Sequence, residues 1–482
     1  MNYKLLLNTL GSLLIFLGLF MLVPIIFSIY YHDNDILALL LSAGITIGAG
    51  ILMRVLFKGE GTFTAREGLA IAGLGWLFAA GFGAIPYMIY GTFHNYIDAY
   101  FEAMSGFTTT GATVLYPIEA QPHGIIFWRG LTHWLGGMGI IVLAIALLPA
   151  IGRGAMQLYK SEVPGPTADR LKPKITHTAR LLWIVYAIIS LMEVIALKVA
   201  GMSLYDALCH MFATMSTGGF STKDASVGAF NNPVYDIIII FFMFISGANF
   251  ALNYRLIFKG DIKCFFKDPE FKFYTGVVLV SVGLITYNLY ANHIYNTIAS
   301  SLRFASFQAV SIVTTTGFTT ADFDKWPDLS RFLLLALMFI GGCAGSTGGA
   351  IKNIRILLLI KHGIREIFKL IHPDAVVPIR LGKTIVSEEI MNSVTAFFFL
   401  YMGLFTLSTI IMAFLGLDLV TAIASTAATI GNIGPGLAKV GASQNYIHIP
   451  YIGKIVLIID MVLGRLEIYT ILVLLMPGLW KK

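Results

Sequence analysis

Long runs of apolar residues constrain this chain more than any other feature of its sequence. Leu5 to Tyr30 and Ile36 to Met53 are the first two, and they meet the length of about 20 residues that a helix needs to cross the hydrocarbon core of a membrane. Of the 482 residues, 57% are hydrophobic and 12% are charged, whereas a soluble domain carries roughly 25% charged residues. The sequence therefore predicts an all-α integral membrane protein.

The basic residues predict how these spans are oriented. The net charge is +7, which taken alone also suits a nucleic-acid partner. Lys and Arg cluster, however, in a few segments between apolar runs, such as Arg153 to Arg180 and Lys352 to Lys383. By the positive-inside rule these segments are cytoplasmic. The charge thus predicts topology in a lipid bilayer and no nucleic-acid partner.

After the first two spans, one plan occurs four times along the chain. Each copy has a long apolar span, a stretch too short to cross a membrane, a polar patch and a second long span. The first spans are Leu69–Tyr90, Leu181–Ala200, Phe273–Ala291 and Ile390–Leu415, the short stretches are Ile97–Phe107, Leu204–Met215, Ala299–Val313 and Leu419–Thr429, and the second spans are Ile125–Ile151, Val234–Phe258, Phe332–Ile360 and Ile452–Met476. We expect four pseudo-repeats of span, pore half-helix, filter loop and span around a central pore, at 67–178, 179–271, 272–387 and 388–482, preceded by two N-terminal helices in 1–66.

The polar patches are rich in threonine and glycine, and their central glycines stand 108, 98 and 117 residues apart. One such patch is typical of a tight turn. Irregular backbone at membrane depth, however, must line a water-filled cavity or be buried in protein. Four such loops on one axis can replace the hydration shell of a potassium ion with backbone carbonyls, and glycine permits the dihedral angles that this requires. The patches predict one cation-selectivity filter in four pieces, each at the C-terminal, cation-favouring end of a half-helix.

Two further features indicate control of a pore. Arg465 lies within the last span, where a charge at membrane depth indicates a functional site. Below a cation filter its guanidinium raises an electrostatic barrier; the alternative is a buried pair with Asp460 or Glu467. The segment from Gly341 to Ala350 has five glycines in ten residues, which disfavours a helix. It predicts an intramembrane flap that gates the pore, and the alternative is a close helix-packing site.

Other polar residues carry weaker signals. Arg129, His133 and Trp134 open the second span of the first repeat, and we interpret them as anchors of its outer end. Glu102 and Asp206 lie in the pore half-helices. Carboxylates there either concentrate cations at the outer mouth or serve as caps and structural pairs, and the sequence favours neither interpretation.

Several motifs together resemble the TrkH, TrkG and KtrB superfamily of potassium transporters. They run through essentially the whole chain: SGFTTTGAT, HWLGGMGIIVLA, MQLYKSEVPGP, FATMSTGGFST, IGGCAGSTGGAIKNIRILLL, NIGPGL and VLGRLEIYT. The resemblance implies a homodimeric, ion-conducting subunit of the bacterial inner membrane. It also implies a cytosolic regulatory ring, TrkA, and NAD or ATP-type nucleotides that bind only to that partner, with no covalently bound cofactor.

The resemblance further implies which residues act. Potassium is expected at Thr109, Thr110, Gly111, Thr217, Gly218, Gly219, Thr315, Thr316, Gly317, Asn432, Ile433 and Gly434. A serine in place of the first filter glycine goes with sodium permeation in the wider family, so Gly111 favours potassium. Arg465 is expected as a barrier on the pore axis, with Glu467 as the partner that holds its rotamer. The gate is expected at Gly341, Gly342, Gly345, Ser346, Thr347, Gly348 and Gly349.

Two other functions, a membrane enzyme and a coupled symporter, compete with this interpretation. An enzyme needs a catalytic constellation, and the chain has no metal-type histidine pair at helical spacing; GKT at Gly382 to Thr384 lacks the P-loop glycine, since Val377 stands there. We therefore predict that the protein is not an enzyme. A proton- or sodium-coupled potassium symporter is the serious alternative, because such carriers also use broken helices. They typically place titratable carboxylates at the site, whereas the four patches contain no Asp, Glu or His.

Overall fold

Helices make up most of the chain. The computed structural model describes residues 1–58, 64–139, 175–382 and 384–480. Its α-helices are α1 (Tyr3–Phe20), α2 (Ile25–Tyr31), α3 (Ile36–Leu56), α4 (Ala65–Gly83), α5 (Ile85–Tyr90), α6 (Tyr96–Phe107), α7 (His123–Gly137), α8 (Ile175–Val199), α9 (Leu204–Met215), α10 (Pro233–Ser246), α11 (Phe250–Lys259), α12 (Lys263–Lys267), α13 (Pro269–Ala291), α14 (Ile298–Val313), α15 (Asp328–Leu337), α16 (Asn353–Ile371), α17 (Glu388–Phe414), α18 (Leu419–Ile430), α19 (Tyr451–Arg465), α20 (Tyr469–Leu474) and α21 (Pro477–Trp480). Two short strands, β1 (Arg380–Leu381) and β2 (Thr384–Ile385), pair antiparallel.

Six stretches in the described ranges are long and apolar enough to cross a membrane. They are Tyr3–Tyr31, Ile36–Leu56, Arg66–Tyr90, Thr178–Val199, Pro269–Ala291 and Glu388–Phe414. A seventh is Pro233–Ser246 with Phe250–Lys259, a pair bent by 105°. The prediction of a helical, multi-pass membrane protein is confirmed.

Parts of several predictions lie outside the described residues. These parts are the end of the span predicted for Ile125–Ile151 and, within the two basic segments, residues 153–174 and Lys383.

Four helices of 12 to 16 residues, which we call short helices 1 to 4, occupy the stretches that were too short to cross. They are α6, α9, α14 and α18. Each begins at a polar residue whose side chain accepts a hydrogen bond from the backbone N–H three residues later. The caps are Asn95, Ser203, Thr297 and Asp418. These caps fix the residue at which each short helix begins.

Within the described residues, the second spans predicted for repeats two and four are broken, which corrects the prediction of continuous helices there, and the third is broken where an interruption was predicted. Val234–Phe258 bends at Gly247 to Asn249, because the Asn249 side chain caps a new helix by accepting from the Ala251 N–H at 2.8 Å. Ile452–Met476 breaks after Arg465, where φ is 55° at Glu467 and 61° at Ile468. In Phe332–Ile360, α15 ends at Leu337 and α16 begins at Asn353, so the predicted interruption is present.

The two N-terminal helices pack closely through glycines. A Cβ atom on Gly11 of α1 would lie 2.7 Å from the Gly50 carbonyl oxygen, and one on Gly50 of α3 would lie 2.6 Å from that of Gly11. Small residues let membrane helices approach in this way, so that backbone packs on backbone. Gly48, on the same helix as Gly50, would gain a Cβ with nothing within 4 Å.

Gly50→Ala should therefore destabilise the protein more than Gly48→Ala. A methyl group inserted into a filled contact typically costs about 1–3 kcal/mol. The melting temperature of each purified variant in the same detergent checks this: we expect a clear decrease for Gly50→Ala and a value close to wild type for Gly48→Ala. Equal melting temperatures would contradict the packing described here.

Candidate functional site

Directly after each short helix, the chain leaves the helical conformation in the same way. The residue two places before each central glycine is left-handed, with φ of 55° at Thr109, 57° at Thr217, 59° at Thr315 and 53° at Asn432. The glycines also have positive φ: 80° at Gly111, 78° at Gly219, 79° at Gly317 and 96° at Gly434. The residue between them does not. Alternation of this kind turns successive amides to one side of the chain and the carbonyls to the other.

The amides of these loops are bonded back to the short helices. The Thr110 N–H donates to the Ser105 carbonyl, five residues earlier, at 2.9 Å. The equivalent bonds run from Gly218 to Ala213 at 2.7 Å, from Thr316 to Ser311 at 2.8 Å and from Ile433 to Ala428 at 2.8 Å. Because the amides face their own helices, the carbonyls face away from them.

The four loops contact one another in a closed ring. A Cβ atom on Gly434 would lie 2.6 Å from the carbonyl oxygen of Thr110. On the other glycines a Cβ would collide with the equivalent oxygen of the next loop: Gly111 meets Gly218, Gly219 meets Thr316, and Gly317 meets Ile433. The contacts run from the first loop to the second, third and fourth, and back to the first. The twelve residues predicted to bind potassium lie here, and we call them the ring loops: Thr109–Gly111, Thr217–Gly219, Thr315–Gly317 and Asn432–Gly434.

The ring loops present oxygen atoms and no carboxylate. Their threonines and Asn432 are buried. Asn432 stands where the other three loops have threonine, and its side-chain amide donates to Thr110 Oγ1 at 2.9 Å and to the Met461 carbonyl at 2.9 Å. The short helices all end at the ring, so their negative dipole ends surround it. Such an environment favours a cation.

A cavity of about 70 Å³ opens on the side of the ring away from the short helices. It is lined by all four central glycines, Gly111, Gly219, Gly317 and Gly434, and by residues of the segments that follow them. Those segments also bond to one another: Asp224 accepts from the Ile118 N–H at 2.8 Å. The four loops therefore share one vestibule.

The segment Gly341–Ala350, which we call the glycine-rich loop, lies against the helix side of the ring. Thr347 Oγ1 donates to the Met215 carbonyl, at the end of short helix 2, at 3.1 Å. The Gly349 N–H donates to Thr315 Oγ1 of the third ring loop at 2.6 Å. A Cβ on Gly349 would also collide with the Gly431 carbonyl at the end of short helix 4. The loop is therefore packed beneath three of the four ring loops.

Arg465 joins the glycine-rich loop to the first ring loop. Its Nη1 donates to Thr109 Oγ1 at 3.1 Å and to the Thr347 carbonyl at 2.7 Å. Its Nη2 donates to the Gly136 and Gly137 carbonyls at 2.6 and 2.5 Å. The guanidinium is thus held by oxygens directly below the ring.

The predicted partners of Arg465 are engaged elsewhere. Glu467 forms an ion pair with Arg355 of α16; its expected part in holding the Arg465 rotamer stays a prediction. Asp460 accepts from Ser408 Oγ at 2.8 Å. Glu467 lies just beyond the end of α19, in the left-handed conformation, whereas Asp460 lies within that helix.

The glycine-rich loop is not a helix, so its glycines do not serve as a helix-packing stripe. At its stem, the Gly341 N–H donates to the Ile351 carbonyl at 2.9 Å and the Asn353 N–H to the Gly342 carbonyl at 3.1 Å. The remaining residues predicted for the gate also contact their neighbours. A Cβ on Gly342 would lie 2.8 Å from the Gly247 carbonyl, and the Gly345 carbonyl accepts from the Phe250 N–H at 3.0 Å. Ser346 Oγ donates to the Cys343 carbonyl at 2.6 Å, and the Gly348 carbonyl accepts from Lys352 Nζ.

Glu270 is a residue that sequence reasoning missed. It lies in the first turn of α13 and is 5% exposed. Its Oε1 accepts from the Ala344 N–H of the glycine-rich loop at 2.7 Å and from the Ile354 N–H in the first turn of α16 at 3.0 Å. The signal in the sequence was an acidic residue within a lysine-rich block, at the start of an apolar span.

The interpretation of Arg129 and His133 as interfacial anchors is wrong. Both are buried, and they contact the first two ring-loop regions instead. For Glu102 and Asp206, the structure favours roles as caps and structural pairs over a role in concentrating cations. Glu102 pairs with Arg129 at 2.7 Å, and Asp206 accepts from Ser203 and Thr222 hydroxyls at 2.6 Å each.

The chain has membrane-spanning helices and a buried ring of carbonyl oxygens, and the Arg465 side chain bonds to Thr109 of that ring. These features define the class of protein: a membrane transport protein for cations. Comparisons agree with this class. Residues 43–481 match the TrkH family, described as a cation transport protein.

Individual relatives match along their whole length. A Trk system potassium uptake protein, TrkH of Halomonas elongata, is 42% identical with both chains fully covered, and TrkG of Escherichia coli is 35% identical over 98% of this chain and 97% of its own. The crystal structure of the potassium transporter TrkH from Vibrio parahaemolyticus has a TM-score of 0.90 at 35% identity and full coverage of both chains. The protein therefore belongs to the TrkH family, and the resemblance of its motifs is confirmed.

Replacement of Glu270 by alanine should loosen the glycine-rich loop. Hydrogen bonds to a charged acceptor contribute about 1.5–3 kcal/mol each, so Glu270→Ala should accelerate amide exchange of peptides covering Gly341 to Ile354 by about tenfold or more. Hydrogen–deuterium exchange measures this directly. Glu270→Gln is the matched control, because its amide oxygen still accepts both bonds. Wild-type exchange in Glu270→Ala, or equally fast exchange in both variants, would contradict the clamp.

Proposed function

We propose that the protein takes up potassium across the bacterial inner membrane, as the ion-conducting subunit of a Trk-type system. The observation that carries the proposal is the closed ring, in which four loops of one conformation turn their carbonyls away from the helices that precede them. The printed names of the relatives, potassium uptake protein and potassium transporter, support potassium as the ion.

The ring loops act as the selectivity filter. A potassium ion that sheds its water needs a shell of oxygens at suitable spacing, and rings of carbonyls supply one. Thr110, Gly218, Thr316 and Ile433 contribute equivalent carbonyls. In this proposal, residues 67–178, 179–271, 272–387 and 388–482 are four pseudo-repeats, each providing one quarter of the pore.

The glycine-rich loop and Arg465 together form the gate. The loop lies beneath the second, third and fourth ring loops, while Arg465 bonds to Thr109 in the first. A fixed cation on the ion path opposes the passage of another cation. Conduction therefore requires the loop and the guanidinium to move away from the axis together, and the Arg465 bond to the Thr347 carbonyl couples them.

The protein works as a homodimer with a cytosolic, TrkA-like regulatory ring. NAD or ATP-type nucleotides act only through that ring. The name Trk system, borne by the relatives, supports an assembly of several components. The basic segment that follows the glycine-rich loop, from Lys352 to Arg365, leads directly from the gate to the side that the positive-inside rule assigns to the cytoplasm.

A proton- or sodium-coupled symporter is the second candidate, and two buried carboxyl groups favour it. Glu193 of α8 is fully buried, and neither of its oxygens has a hydrogen-bond partner among the described residues. Asp460 of α19 has one such oxygen. Neither belongs to the ring loops, so a coupled mechanism needs a second site away from the filter.

Electrical recording of the purified protein in planar bilayers separates the two functions. Opposed potassium and sodium gradients should give discrete unitary currents that reverse near the potassium equilibrium potential. Currents that reverse near zero would contradict potassium selectivity. Rubidium uptake into liposomes that depends on an imposed pH or sodium gradient, with no unitary currents, would establish the symporter instead.

Gly111→Ser should lower the preference for potassium over sodium. Serine at a φ of 80° is strained, and its Cβ collides with the Gly218 carbonyl, so one of the four carbonyls must move. We expect the potassium-to-sodium permeability ratio, taken from the reversal potential, to fall by about tenfold, or about 1.4 kcal/mol. Gly276→Ser, on α13 with nothing within 4 Å of its Cβ, is the control and should keep the wild-type ratio. An unchanged ratio in Gly111→Ser would argue against this filter.

Arg465→Ala should increase the potassium flux. A unit charge roughly 5–10 Å from a passing cation, at an effective dielectric constant of about 20, costs about 2–3 kcal/mol, so flux into liposomes should rise about tenfold or more. Arg465→Lys keeps the charge and should remain close to wild type. If both variants conduct equally well, the loop contacts of the arginine, and not its charge, restrain the ion.

A further inference from the structure

A buried ion pair lies between the first and second ring loops. Arg129 Nε is 2.7 Å from Glu102 Oε1, and the two side chains are 2% and 0% exposed. Glu102 belongs to short helix 1 and Arg129 to α7. Replacing a buried ion pair by uncharged residues is often neutral or even stabilising. The stability of the fold is therefore a weak reason for this pair, and its contacts point to a geometric one.

The carboxylate holds the segment that follows the first ring loop. Glu102 Oε1 accepts from Thr113 Oγ1 at 2.8 Å, and its Oε2 accepts from the Val114 N–H at 2.8 Å. Thr113 is two residues beyond Gly111. Both carboxylate oxygens are thus engaged in holding the outward course of the first loop.

The guanidinium holds the same part of the second loop. Arg129 Nη1 donates to the Ser221 carbonyl at 3.0 Å, and its Cζ lies 3.5 Å above the centre of the Phe220 ring. These two residues directly follow Gly219. The pair therefore connects equivalent segments of two neighbouring loops, immediately beyond the carbonyl ring.

His133, one turn further along α7, limits the approach of the second loop. Its Nδ1 donates to the Gly106 carbonyl at 2.7 Å, and its Nε2 accepts from the Phe220 N–H at 3.2 Å. A Cβ on Gly218 would lie 2.6 Å from the imidazole ring. Arg129 and His133, one turn apart on α7, therefore both contact the segment that follows Gly219.

We infer that Glu102 and Arg129 are positioning residues for ion selection: their buried pair sets the distance between the first and second ring loops. The inference rests on the proposed function, since it assigns a role to groups that support the filter. Neither side chain needs to touch the ion. Without the pair, the carbonyls of Thr110 and Gly218 can separate, and the ring then discriminates less between ions of different radius.

The test is the double substitution Glu102→Gln with Arg129→Gln, which removes both charges and leaves no buried charge unpaired. A pair of similar geometry provides the control. Arg303 Nε lies 2.7 Å from Asp236 Oδ2, which is 1% exposed, and this pair joins short helix 3 to α10. The control protein carries Asp236→Asn with Arg303→Gln. Permeability ratios come from reversal potentials in planar bilayers, and melting temperatures are measured on the same preparations.

We expect the Glu102 and Arg129 double variant to lose about tenfold in potassium-to-sodium permeability ratio, or about 1.4 kcal/mol, and the control to keep the wild-type ratio. A wild-type ratio in the first variant, or an equal loss in the control, would overturn the inference. A wild-type protein that does not distinguish potassium from sodium would overturn the proposed function instead.

Arg129→Lys covers the case in which the double variant fails to fold. Lysine keeps the positive charge but loses the planar donor group that reaches Glu102 and Ser221 together. We expect a smaller loss of selectivity with unchanged protein yield. An unchanged ratio in this folded variant would also overturn the inference.

Discussion

Backbone polar groups at membrane depth must be satisfied within the protein, and this constraint shapes the whole ring. Each ring loop meets it by bonding its amide to a carbonyl five residues back in its own short helix, as Thr110 does with Ser105. The carbonyls of the loop are then left without helical partners and face the other way. A left-handed residue and a glycine are needed to achieve this turn. Oxygen-lined geometry and membrane stability therefore come from the same bonds.

The glycine-rich loop depends on the ring in turn. Its tip fills the space below the ring through Thr347 and Gly349, and Glu270 joins Ala344 of the loop to Ile354 at the start of α16. This arrangement has a firm base and a tip bonded mainly to backbone carbonyls and to Arg465. A movement of α16, which begins directly after the stem, therefore reaches the tip through very few residues. The proposed gate needs such a short connection between a cytoplasmic regulator and the filter.

Local patterns in the sequence were sufficient for the short helices, which were predicted to within one residue at each end, because a capping residue begins each and a polar patch follows it. They were insufficient for the second spans. The bend at Asn249 and the break at Glu467 occur inside apolar runs. The Asn249 cap is local, but contacts distant in sequence also hold both sites: the Phe250 N–H donates to the Gly345 carbonyl, and Glu467 pairs with Arg355. Arg129 and His133 were misplaced for the same reason, since nothing local reveals that a neighbouring loop buries them.

The central claim is that potassium binds within the ring of carbonyls. The most direct test is X-ray diffraction from crystals grown in rubidium, with anomalous scattering used to locate the ion. The account predicts a rubidium peak between the carbonyl oxygens of Thr110, Gly218, Thr316 and Ile433. Peaks only beside the buried carboxyl groups of Glu193 or Asp460, with an empty ring, would contradict it.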